Sequence, residues 1–128
     1  MVALENQAFI EIKDAISANP DNIASMIIEP IQGEGGDNHF RCEFFQELRE
    51  IANENDIMLI YDEVQTGIGI TGKMWAHQHY GEDCRPDIIS FGKKTQICGI
   101  FASNRVDEVE NNVFHESNRL NSTWGGNI

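Results

Sequence analysis

Three apolar stretches of this 128-residue chain each run into an ionisable side chain. Ser25-Met-Ile-Ile leads to Glu29, Ile57-Met-Leu-Ile-Tyr61 to Asp62, and Asp87-Ile-Ile-Ser-Phe91 through Gly92 and Lys93 to Lys94. Positions 29, 62 and 94 are 33 and 32 residues apart, the length of one strand–helix–strand unit. That spacing sets two carboxylates and an amine at equivalent ends of successive strands, where they can converge on one crevice. Charged groups gathered in this way can transfer protons and stabilise charge.

Helices and strands must position these groups. Residues 4–18 form an amphipathic helix, with Phe9, Ile12 and Ile16, backed by Leu4 and Ala8, on one face, and Glu5, Glu11, Lys13 and Asp14 elsewhere. Asn19-Pro20 ends it, because proline disfavours helix in the residue before it. Residues 40–54 form a second helix, with Phe44, Phe45, Leu48 and Ile51 inward. A short helix is expected over 73–80, a fourth strand over Gly99-Ile-Phe-Ala102, and a helix over 106–114. Continuous apolar strands alternating with helices predict an α/β fold, a mostly parallel sheet with helices on both faces. In such a sheet ligands sit beyond the carboxyl ends of the strands, where Glu29, Asp62 and Lys94 stand.

Bulk properties narrow the function. The net charge of −12, from 9 basic and 21 acidic residues, argues against a nucleic-acid surface, which needs clustered Lys and Arg. No apolar run approaches the roughly 18 residues of a membrane span. Cys42, Cys84 and Cys98 are odd in number and show no C-x-x-C spacing, so neither a disulfide framework nor a zinc site is expected, and a cytoplasmic location is.

Two local patterns mislead. Gly67-Ile-Gly-Ile-Thr-Gly72-Lys73 fits both G-x-G-x-x-G and the start of a phosphate-binding loop. Met74 stands where a hydroxyl should reach magnesium, and the acidic strand precedes the loop instead of coming after it. The dinucleotide pattern fails as well, because residues 63–66 separate the strand from the first glycine. His77 and His79, two apart on a helix, point to different faces and are expected at the surface rather than on a metal.

Four segments occur in order: Glu29-Pro-Ile-Gln-Gly-Glu-Gly-Gly36, Asp62-Glu-Val-Gln-Thr-Gly67, Asp87-Ile-Ile-Ser-Phe-Gly-Lys-Lys94 and Thr123-Trp-Gly-Gly-Asn127. Together they resemble the class III aminotransferases of the fold-type I pyridoxal-phosphate family, from about residue 8 to the last residue. The resemblance implies pyridoxal 5'-phosphate as cofactor. It casts Lys94 as the amine that forms the Schiff base and later shuttles a proton, since Lys94 precedes Thr95-Gln-Ile-Cys98-Gly99 at the family's interval. Lys93, on extended backbone, is expected to face elsewhere. Asp62 would keep the ring nitrogen protonated through a charge-assisted hydrogen bond. Val64 would pack on the ring, and Gln65 would approach its phenolic oxygen. Thr123 would reach the cofactor phosphate of a neighbouring subunit, which implies a homodimer with a shared active site. Glu29 would pair with a substrate-reading arginine not found in this chain, and Asn121, beside Thr123, would help shape the substrate site.

Within the family, Ile70 replaces an arginine that most members carry. The segments Phe91-Gly-Lys-Lys-Thr-Gln-Ile-Cys98-Gly99 and Arg119-Leu-Asn-Ser-Thr-Trp-Gly-Gly-Asn127 resemble most the branch that moves the terminal amine of L-lysine to 2-oxoglutarate, giving glutamate and a semialdehyde. The 4-aminobutyrate and ornithine branches are the alternatives. The family's upstream segment and carboxyl-terminal small domain have no counterpart here. Residues 1–128 are therefore expected to be an internal piece, a partial cofactor-binding large domain, and to be inactive as a non-catalytic fragment in isolation.

Overall fold

The structure, a computed structural model, describes residues 1–116 and 119. Helix α1 spans Val2–Ala18, strand β1 Ser25–Ile28, β2 Ile31–Gln32 and β3 Asn38–His39. Helix α2 spans Cys42–Glu54, and after it come β4 Met58–Asp62, β5 Ile88–Phe91, β6 Gly99–Ala102 and α3 Asn104–Asp107. The main sheet has the order β1-β4-β5-β6. β1, β4 and β5 are parallel, as the apolar runs predict. β6 returns antiparallel on β5, and β2 and β3 form a small hairpin that the glycine-rich character of residues 33–36 does not foretell.

The register sets up the core. Met26 lies opposite Leu59 and Ile28 opposite Tyr61, so these side chains share one face of the sheet. On that face α2 packs Phe44, Phe45, Leu48 and Ala52, while Phe9, Ile12 and Ile16 of α1 close the outer side. Aromatic rings carry much of the contact: Phe45 stacks on Tyr80 with centroids 4.0 Å apart and meets Tyr61 edge-on at 5.5 Å. The other face, with Met58 and Ile60 of β4, is only half-buried, and Ile27 is exposed. The expected second layer of helices is thus absent among the described residues. The β4-to-β5 crossover is built from turns and the short 3₁₀ segments Ala76–His79 and Glu82–Cys84 instead of an α-helix.

Two expected helices shrink for local reasons. Trp75 is extended, so the helix expected over 73–80 is cut to one 3₁₀ turn from Ala76. After α3, Asn111 turns to positive φ, and the Asn112 side chain holds both the Val109 carbonyl and the Phe114 N–H. Asparagine bonding its own backbone in this way competes with helix. Glu5 also departs from its expected outward place. It is buried and accepts hydrogen bonds from Arg41 Nε at 2.6 Å and the Arg41 N–H at 3.1 Å. Burial pushes its acid form up, but the Arg41 contacts outweigh that and hold it below the ordinary carboxylate range.

At the far end of the sheet Asp87 fixes the start of β5. Its Oδ2 accepts from Arg49 Nη1 at 2.9 Å, Arg105 Nη1 at 3.2 Å and the Leu59 N–H at 2.8 Å. Arg49 and Asp87 are both buried, so removing the acid strands a buried cation. Asp87→Ala should cost about 3–5 kcal/mol in urea unfolding of the full-length protein. A loss below 1 kcal/mol, within the range of surface pairs, would show that solvent relieves Arg49.

Candidate active site

The carboxyl ends of β1, β4 and β5 lie side by side because the three strands run parallel in register. Asp62 closes β4 opposite Ser90 of β5. It is half-buried, and its Oδ1 accepts from the Ser90 hydroxyl at 2.9 Å and the Val64 N–H at 3.0 Å. These two donors orient the carboxylate, and among the described residues no hydrogen bond occupies Oδ2.

A tight turn comes next. The Gly67 N–H donates to the Glu63 carbonyl at 2.8 Å. A Cβ on Gly67 would come within 2.7 Å of the Trp75 ring and 2.8 Å of that carbonyl, so only glycine lets the turn close here. Val64 lies over Gly92, whose missing Cβ would sit 3.7 Å from Val64 Cγ1 and 3.0 Å from Cys98 Sγ.

Glu29 stands just after β1 and is half-buried. Its Oε2 accepts the Gly33 N–H at 3.2 Å, which folds the chain back. Gly33 in turn is where Gln65 rests: a Cβ there would lie 2.8 Å from Gln65 Oε1. The Lys94 amine donates to the Gln65 carbonyl. Contacts therefore run from Glu29 through Gly33 and Gln65 to Lys94, with Val64 and Asp62 beside them.

The structure brings together Glu29, Asp62, Val64, Gln65 and Lys94. Thr123 and Asn121 lie outside the described residues. The two lysines are not separated by strand alternation as expected. Residues 93–96 form a turn, with the Thr95 N–H bonded to the Gly92 carbonyl at 3.0 Å, and both lysines are exposed.

Sequence reasoning missed four features. Ser90 supports Asp62, and Gly33 makes room for Gln65. Glu34 is exposed in the Gly33-to-Gly36 turn, while the Glu29 carboxylate is engaged with that turn. The fourth is a correction: His77 is buried rather than at the surface, with its Nδ1 2.9 Å from the carboxylate of Glu63, itself 1% exposed. Two adjacent acids at a strand end carried the available signal, because on extended backbone one of them must turn inward.

Comparison with known proteins decides the family. The chain matches the family of class-III aminotransferases over residues 3–128. The chain belongs to the class III aminotransferases.

It is 56% identical over all 128 residues to an L-lysine-epsilon aminotransferase of Mycobacterium tuberculosis, covering 28% of that protein. A solved lysine aminotransferase from M. tuberculosis superposes with a TM-score of 0.90 at 55% identity, over 97% of this chain and 28% of that one. A 4-aminobutyrate aminotransferase of Emericella nidulans is 45% identical over 78% of this chain and 20% of its own length. The chain thus spans little more than a quarter of the lysine aminotransferases it matches, and the mixed, mostly parallel sheet is theirs. No helix among the described residues is long and apolar enough to cross a membrane.

Proposed function

We propose that this chain contributes the cofactor-holding edge of a pyridoxal-phosphate-dependent transaminase, which moves the terminal amine of L-lysine to 2-oxoglutarate. The observation that carries the proposal is the meeting of Asp62, Val64, Gln65 and Lys94 at one sheet edge. Similarity to lysine aminotransferases along the whole of this chain supports the donor.

The residues present fit pyridoxal 5'-phosphate. An oriented carboxylate with one oxygen open, an amine within reach of the neighbouring loop and a glycine step under a valine are the donors and the flat surface that a pyridine aldehyde needs. When bound, the group supplies an electron sink for the substrate's reacting carbon. Asp62 would hold a proton at the ring nitrogen, and Ser90 and the Val64 N–H keep its carboxylate aimed. Val64 would pack on the ring, and Gln65 would hold its oxygen. Lys94 would hold the group covalently and would serve as the base that moves the proton. Glu29, which pins the Gly33 turn, would pair with a substrate-reading arginine. Asn121 shapes the substrate site, and Thr123 reaches the cofactor phosphate of a partner subunit, making the enzyme a homodimer. Residues 1–128 then form part of a cofactor-binding large domain. Three free cysteines, two of them exposed, favour a reducing compartment such as the cytoplasm.

Borohydride reduction of the full-length protein loaded with pyridoxal phosphate, and then peptide mapping, should tag Lys94. A tag on Lys93 transfers the attachment role to the neighbouring residue of the same turn. A tag on neither dismisses the site.

The donor is read by competition among L-lysine, ornithine and 4-aminobutyrate. Lysine exceeds ornithine by one methylene, so a preference of roughly ten- to two-hundredfold in kcat/KM is expected. 4-Aminobutyrate lacks the α-amino group and leaves any buried partner of it unpaired, so it should fare worse. A preference for 4-aminobutyrate would reassign the donor to that branch.

A further inference from the structure

The proposed reaction leaves one buried carboxylate without a task. Glu63 stands between Asp62 and Val64, yet its side chain turns away from them into the protein. Oε1 accepts the His77 N–H and the His77 Nδ1–H, both at 2.9 Å. Oε2 accepts the Ala76 N–H at 2.7 Å and the Thr66 hydroxyl at 3.0 Å. Backbone N–H groups can only donate, so both oxygens must accept, and donors gathered on both oxygens favour the ionised form. Glu63 is therefore ionised, and a carboxylate acting only as acceptor requires a hydrogen on Nδ1 of His77. Burial alone would push the acid form up. The His77 ring, the His77 and Ala76 N–H groups and Thr66 outweigh it and hold the carboxyl below its ordinary range.

This carboxylate ties together parts that are distant in sequence. Its side chain gathers residues 76 and 77, whose N–H groups open the 3₁₀ turn and have no partner within it. Its own backbone N–H donates to the Ser90 carbonyl at 3.0 Å, and its carbonyl takes the Gly67 N–H. Asp62 is one peptide away, and Ser90 also supports the Asp62 carboxylate. A shift of Glu63 therefore moves Asp62 and Val64 with it.

We propose that Glu63, held by the Nδ1–H of His77, is the positioning residue of the loop from Asp62 to Gln65. It locks that loop against the crossover so that the Asp62 carboxylate and the Val64 side chain are fixed before the cofactor arrives. The assignment rests on the reading of this loop as the cofactor site. Sites of this kind work when their groups are held within about 0.5 Å by buried partners. A buried carboxylate whose two oxygens accept four hydrogen bonds supplies such rigidity, whereas a neutral amide in its place would turn an NH₂ toward one of the N–H donors.

The test uses the full-length protein and pyridoxal phosphate as probe, at a temperature where each variant's circular dichroism matches the parent. Glu63→Gln and His77→Leu should weaken cofactor binding by about tenfold or more and shift the visible absorption band of the bound cofactor. His77→Asn, whose amide offers a donor at similar reach, should restore the parent affinity and spectrum. A folded Glu63→Gln protein with parent affinity and band would overturn the proposal, as would His77→Asn binding no better than His77→Leu. If Glu63→Gln does not fold, the His77 pair decides. A parent protein that binds no pyridoxal phosphate removes the cofactor reading itself; a parent that binds, with variants indifferent, removes only the role of Glu63.

Discussion

The parallel register of β1, β4 and β5 is the constraint on which the site depends. Pairing Ile28 with Tyr61 and Asp62 with Ser90 makes the three strands end at one level. The chain must then leave each strand in the same direction, so the loops after the three strands meet at one edge. Glu29 and its turn, Asp62 and its loop, and the Gly92-to-Lys94 step become neighbours because of strand direction alone. The core maintains this arrangement: α2 covers Leu59 and Tyr61, and the Asp87 cluster anchors the opposite ends of the same strands. A one-residue slip of β4 would turn Leu59 and Tyr61 out of the core and Asp62 away from Ser90.

Register brings the loops together, but loop geometry needs its own fasteners. Two glycines supply space: Gly67 under the Trp75 ring and Gly33 under Gln65. Two acids supply direction. Asp62 bonds locally and keeps an oxygen open, whereas the Glu63 carboxylate faces inward with every acceptor position taken. Adjacent residues of like charge thus divide the work, one kept at the open strand end and one turned into the scaffold. The alternation of side chains along extended backbone imposes the division.

Much of this is legible in the sequence. The three parallel strands announce themselves as apolar runs ending in Glu29, Asp62 and the lysine pair, and α1 and α2 as amphipathic repeats. The direction of β6 is not, because Gly99-Ile-Phe-Ala102 reads the same in either orientation; the tight turn after Gly92 decides it. His77 reads as a surface residue because its burial comes from Glu63, fourteen positions earlier, and periodicity cannot see such a pair. Nor can periodicity separate Lys93 from Lys94, since the segment is a turn and not a strand. The motifs of four segments, taken together, identify the family where each alone matches other folds as well.

The central claim is that the strand-end carboxylate Asp62 serves chemistry and not merely the turn it caps. The most direct measurement is the single-turnover half-reaction of the full-length protein, loaded with pyridoxal phosphate and mixed with L-lysine, for the parent and Asp62→Ala. With folding intact, the rate should fall by roughly 10²- to 10⁴-fold, as for loss of a positioned acid–base group. A rate in Asp62→Ala close to that of the parent would contradict the account and leave Asp62 as a cap for Val64 and Ser90.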